Sequence, residues 1–293
     1  MPLTLELEKT SDSVPRRVRK SHRFSLGGGL LPDVPLAVVG GGREACPAGH
    51  ATRRGGASHY SLEFVSHGRG WLTSGGKRHR LDAGTVFSSG PGFSHSITTD
   101  PRDVLERYFV DLTGPRAPRI LGECGLAPGT VAQVSSLNEV EDIFENLIRD
   151  GSRRTGASNM LCVALSEYLM IKLADLVMPP GERPSPAAAT FQRCRRYIAT
   201  HFRRLRSLEQ AADECGIDQA YLCRLFRRFD REGPYRYLLR LKMTFAAEQL
   251  RDPKVLVKEA AAAAGFQDPF HFSHAFKNLF GTSPDVYRRL RTG

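Results

Sequence analysis

Three side chains in the first third of the chain, His59, Glu63 and His95, are of the types that ligate a transition metal. A different chemistry sits in the last third. There, two short stretches each carry a polar and basic face at helical spacing. The first holds Gln219, Ala220, Cys223, Arg224, Arg227 and Arg228, and the second Gln267, His271, His274 and Lys277. Gln and Arg can donate to base edges in the DNA major groove, while Arg and Lys hold phosphates.

The elements that must position the second set are a repeat. Phe226 to Pro234 aligns with Phe276 to Pro284 at an offset of 50 residues, each followed three residues later by Tyr (Tyr237, Tyr287). Upstream, Ala212 to Gly216 aligns with Ala261 to Gly265 at an offset of 49, so one extra residue sits in the second turn. Self-similarity of this period means one structural unit used twice.

Each unit reads as helix-turn-helix. Ser207-Leu-Glu-Gln210 is a capping-box pattern, with Leu208, Ala211 and Ala212 on the apolar face behind it. Gly216 and Gly265 supply the turns, where positive φ favours glycine. Asp218 and Asp268 are expected caps, with Pro269 at the first helical position. Leu222, Leu225 and Phe226, and likewise Phe272, Ala275 and Phe276, fall at core spacing. The small residue four before each turn Gly, Ala212 or Ala261, lets two helices cross closely. From Pro234 to Arg251 no internal Gly or Pro interrupts a helical pattern. One rigid helix would hold two recognition helices for successive major grooves, roughly 34 Å apart.

Charge agrees with this placement. Residues 185–293 carry 20 Lys+Arg against 11 Asp+Glu, whereas residues 1–184 carry 22 against 20. The basic excess lies with the repeat, as a phosphate-binding surface requires.

Residues 190–290 resemble the DNA-binding domain of the AraC-type family of bacterial transcription regulators. The resemblance rests on Ala212 to Gly216, Leu222-x-x-Leu225-Phe226, Pro234-Tyr-x-Tyr-Leu-Leu-x-Leu-x-Met, Ala261 to Gly265-Phe266, Phe272-Ser-x-Ala-Phe276 and Phe280-Gly-Thr-Ser-Pro284 with Tyr287-Arg288. The chain departs from the family pattern at Asp230-Arg231, where aromatic-Gly is common, and at His274, where Arg is usual. The resemblance implies promoter DNA and RNA polymerase as partners, and an activator rather than a repressor. Arg224, Gln219 and Ala220 are the expected base readers in the first groove, and Gln267, His271 and His274 in the second. Arg227, Arg228, Arg240 and Lys277 are expected on phosphates.

From about Leu26 to Ser135 short β-rich runs alternate with Gly and Pro. They include Tyr60 to Val65 and a hairpin at Gly75-Gly76. Strands at this spacing suggest a small antiparallel barrel or jelly roll. The stretch is similar to the cupin-like sensor domain of the same family, through His59-Tyr-x-Leu-Glu63-Phe-Val, Gly68-x-Gly70-Trp71, Leu81-x-x-Gly84-x-x-Phe87 and Gly90-Pro-Gly-x-x-His95. That implies a small-molecule effector inside the barrel, in many relatives a sugar. His59, Glu63 and His95 would give it polar contacts and Trp71 a stacking surface. Metal cupins place a second His two after the first, and here position 61 is Ser. His79 would add a ligand only if its strand faces inward. Neither metal nor cofactor is expected.

The fold class is therefore α+β and multidomain: a cupin-like barrel with flanking helices, then an all-α double helix-turn-helix domain. Residues 1–25 read as a basic arm, 26–135 as the sensor and 136–178 as a helical dimerisation segment. Its two helices are expected at 138–148, ended by Gly151 to Gly156, and at Met160 to Met178. The second is apolar beyond the needs of a surface helix, which suggests a homodimer. Residues 179–186, with four Pro, read as a stiff linker, and 187–293 as the DNA-binding domain.

Six Cys show no CxxC pair, as in a reduced cytoplasmic protein. No apolar run approaches the ~20 residues of a membrane span. Two readings from other classes stay open: a metal-dependent cupin enzyme with a helical tail, and an architectural DNA binder without effector or sequence preference.

Overall fold

A computed structural model describes residues 21–27, 34–46, 52–54, 58–179, 181–182, 184–230 and 232–291. The chain divides into two compact units, residues 1–134 with 139–180, and residues 135–138 with 181–293.

In the first unit, ten strands form two antiparallel sheets. They are β1 (His22–Ser25), β2 (Ala37–Ala45), β3 (Thr52–Arg54), β4 (Tyr60–His67), β5 (Gly70–Ser74), β6 (Lys77–Leu81), β7 (Thr85–Ser89), β8 (His95–Thr99), β9 (Glu106–Thr113) and β10 (Val131–Gln133). The larger sheet runs β1-β2-β9-β4-β7-β10 and the smaller β3-β8-β5-β6. Val65 and Phe87 from the larger sheet meet Leu72, Leu81 and Ile97 from the smaller in one core. Three helices accompany the sheets: α1 (Arg116–Glu123), α2 (Leu137–Ser152) and α3 (Ser158–Leu176). Phe144 of α2 stacks on Phe64 and Tyr108, on the outer face of the larger sheet.

Two expectations are corrected here. Residues 22–25, assigned to the basic arm, form β1, pairing with β2. Its single buried apolar side chain, Phe24, gave no periodic signal. Residues 1–20 of the expected arm lie outside the described residues. Nor does Gly151 end its helix, since α2 continues to Ser152. A Cβ at position 151 would stand 2.3 Å from the Phe24 ring. This glycine therefore serves close packing of helix on strand rather than a break.

The second unit is helical: α4 (Pro186–His201), α5 (Leu208–Glu214), α6 (Gln219–Phe229), α7 (Pro234–Gln249), α8 (Val257–Ala263), α9 (Pro269–Phe280) and α10 (Pro284–Arg291). The linker expectation through residue 186 is also corrected, because Pro186 opens α4 and Ser185 caps it by accepting from the Ala188 N–H. Proline is harmless at a first helical position. Two cores share α7. Tyr237 and Leu238 join the first with Leu222 and Phe226, while Met243, Ala246 and Ala247 join the second with Phe272 and Phe276. Among the described residues no helix is long and apolar enough to cross a membrane.

Candidate functional site

Both helix-turn-helix units form as local chemistry dictates. Ser207 Oγ accepts from the Gln210 N–H at 3.1 Å, and Gln210 Oε1 reaches back to the Arg206 N–H. Asp218 accepts from the Tyr221 N–H at 2.7 Å and Asp268 from the Phe270 N–H at 2.8 Å, so each recognition helix starts on a carboxylate cap. Gly216 and Gly265 take φ of +70° and +80°. Ala212 and Ala261 are buried against their partner helices.

The recognition helices are α6 and α9. On α6, Gln219, Ala220, Arg224, Arg227 and Arg228 are exposed and Cys223 is half-buried. On α9, His271, His274 and Lys277 are exposed, with Gln267 just before the cap. Both helices are anchored by their opposite faces, and some of these side chains also touch near neighbours: Arg224 lies over Tyr221, Arg228 over Phe229, and His274 Nδ1 is 3.3 Å from the Asn278 amide nitrogen. Arg240 stands apart: its guanidinium is paired with Glu232, which counts against a phosphate role. The departure at Asp230 also has a local partner. Its carboxylate binds Arg195 at 3.1 Å, and that guanidinium lies 4.9 Å from the centre of the Tyr237 ring.

Sequence reasoning missed how tightly the second turn is held. Lys242, buried in α7, donates to the Gly265 carbonyl at 3.3 Å, and burial lowers its pKa below the usual lysine value. A Cβ at Gly265 would lie 2.0 Å from the Arg203 carbonyl oxygen, in the segment after α4. Phe202 and Phe245 pack ring to ring beside it, at 5.7 Å. The second unit is thus braced from α7 and from the end of α4.

The residues expected around the effector do not converge on one place. Glu63 and His95 are buried between the sheets, with His95 Nε2 at 3.9 Å from Glu63 Oε1. His59 pairs instead with Asp111 at 3.7 Å, and Asp111 also accepts from the Ser61 hydroxyl at 2.7 Å. Trp71 does not face the barrel interior in which the effector was expected. It is 37% exposed on the outer face of β5, under the Arg78 guanidinium at 4.1 Å, while its neighbour Leu72 points inward. Strand alternation allows only one of the two inside.

Two interior features were not foreseen. Arg107 is 1% exposed and bridges Glu63 and Glu44, and Arg23 pairs with Glu44 from β1. The alternation Leu105, Arg107, Phe109 was the available signal, a charge in phase with apolar residues. His79 faces inward opposite Leu72, in a cavity of about 260 Å³ lined also by Ser74, Lys77, Phe93 and Val131. Among the described residues no three His, Cys, Asp or Glu side chains group as metal ligands.

A two-sheet domain ahead of paired helix-turn-helix units on the basic part of the chain is the arrangement of a DNA-binding protein with a second module. Comparison with known proteins agrees. Residues 40–165 match the family model "AraC-like ligand binding domain" and residues 211–290 match "Helix-turn-helix domain". The chain thus combines the two modules of an AraC-type transcription regulator. It is similar to the Msm operon regulatory protein of Streptococcus mutans, 23% identical over 259 residues, 87% of this chain and 92% of that protein. It is also similar to the lactose operon transcription activator of Staphylococcus xylosus, 21% identical over 230 residues (78% and 82%). A third relative is the MmsAB operon regulatory protein of Pseudomonas aeruginosa, 21% identical over 249 residues (83% and 80%).

Proposed function

We propose that this chain is a homodimeric, sequence-specific activator. Its sensor, from β1 onward, answers to a small polar effector, and its reader, from the Ser185 cap onward, recruits RNA polymerase to a promoter. The observation that carries the reading is the pair of capped recognition helices, each with an exposed polar face, on the basic unit of the chain. The effector is placed in the cavity beside Lys77 and His79 rather than around Trp71. Sugars are the first ligands to try, because a relative is named for a lactose operon.

On α6, Gln219, Ala220 and Arg224 read bases, Cys223 lies beside them on the DNA-facing side, and Arg227 and Arg228 hold phosphates. On the second element Gln267, His271 and His274 read bases and Lys277 holds phosphate. Selection of bound duplexes from a random pool, at roughly 0.15 M salt to suppress nonspecific binding, is expected to return two short elements about one helical turn apart. Arg224→Ala should then cost ~1–3 kcal/mol on the selected site and relax one base position. A pool returned unselected would sink the regulator reading in favour of an architectural binder. An equal loss on every sequence would place Arg224 on phosphate alone.

The dimer reading rests on α3. Met160, Leu161, Tyr168 and Ile171 are exposed along it at helical spacing, Met160 to 71% and Ile171 to 61%. An apolar stripe of this kind marks an association surface. Ile171→Glu should reduce the mass in sedimentation from a dimer to the single chain's 32.4 kDa. A wild-type protein that already sediments at one chain's mass would refute the dimer.

A further inference from the structure

Phe270 is 87% exposed, on a helix whose core positions are already filled by Phe272 and Phe276. It occupies the second position of α9, after Pro269, and its backbone N–H is held by the Asp268 cap. One and two turns further along the same face stand His274 and Lys277, both exposed. The ring therefore projects from a polar, basic face, at the end of the helix that meets base edges when a recognition helix enters a groove.

The repeat makes the position meaningful. Ala220 stands 50 residues earlier, is also exposed, and is also second in its recognition helix after a carboxylate cap. Both units present an apolar side chain at the same place. In the major groove only one feature of the bases is apolar, the C5-methyl group of thymine. The surrounding cationic side chains complement DNA rather than a basic protein surface.

We propose that Phe270 is a specificity-determining residue that packs on a thymine methyl in the second DNA element, with Ala220 as the smaller counterpart in the first. The inference rests on the regulator reading above. It assigns to Phe270 a base preference that its polar neighbours cannot supply.

The test uses the full chain and the duplex recovered by selection. Each thymine of the second element is replaced in turn by deoxyuridine, which removes the methyl and leaves every hydrogen-bonding group. At one position wild-type affinity should fall about fourfold, the effect of burying one methyl-sized group. Phe270→Ala should bind the thymine and deoxyuridine duplexes equally, with helix content unchanged by circular dichroism, while Phe270→Leu should keep part of the discrimination. A defined site with no deoxyuridine penalty, or the same penalty in Phe270→Ala, overturns this contact and leaves the regulator reading standing. A pool that yields no site overturns both.

Discussion

Arg107→Met should destabilise the sensor unit by about 3–5 kcal/mol, the effect of removing one partner from a buried ion pair. Arg107 lies between Glu44 and Glu63, and both carboxylates are withdrawn from water, Glu63 completely. Methionine fills much of the volume but takes the guanidinium away from the fully buried carboxylate of Glu63, while Glu44 keeps its pair with Arg23. Trp71 is the only tryptophan and sits on the smaller sheet, so its fluorescence during urea unfolding reports this unit. The triple variant Glu44→Gln/Glu63→Gln/Arg107→Met should recover most of the loss, because the buried charges are removed together and Arg23, which loses Glu44, is largely exposed to water. A midpoint for Arg107→Met within ~1 kcal/mol of wild type would mean that water reaches the cluster and screens it. The contrast also bears on effector recognition. The buried carboxylate of Glu63 is paired within the protein, whereas Lys77 and His79 present polar groups to a cavity.

Gly265→Ala and Gly216→Ala should separate two roles of a turn glycine. Both positions have positive φ, so alanine costs about 1–2 kcal/mol at either. At Gly216 a Cβ meets nothing within 4 Å, and the backbone term is the whole effect. At Gly265 the same atom would lie 2.0 Å from the Arg203 carbonyl oxygen and 3.0 Å from Lys242 Nζ. The close contact is with backbone, so relief requires moving the end of α4 or the second turn. Overpacking of this kind adds a further ~1–3 kcal/mol. Helix content followed through urea unfolding should place Gly265→Ala well below Gly216→Ala. Equal losses would show that the α4 end yields freely and braces nothing.

Much of the helical unit was legible because its determinants are local. Caps at Ser207, Asp218 and Asp268, turn glycines, and apolar residues at i, i+3 and i+4 lie within a few residues of what they decide. The elements misread depended on contacts across the chain. Gly151 looks like a helix breaker until the ring of Phe24, some 130 residues earlier, is seen against it. The count of prolines in 179–186 concealed that Ser185-Pro186 is itself a helix start. In the sensor the strands were readable but their inward faces were not, because a shift of one residue exchanges Trp71 for Leu72. Arg107 was hidden for the opposite reason. Its phase with Leu105 and Phe109 marked it as interior, yet a buried arginine makes sense only with Glu44 and Glu63 brought in from two other strands.

Helix α7 contributes to two cores, Tyr237 and Leu238 at one end and Met243, Ala246 and Ala247 further along. Neither half can fray without exposing apolar surface that belongs to its own repeat, and the helix is continuous between them. The two helix-turn-helix motifs are therefore one thermodynamic object rather than beads on a string. Their folding is coupled through a shared spine, so damage to one reading head is felt at the other as lost cooperativity.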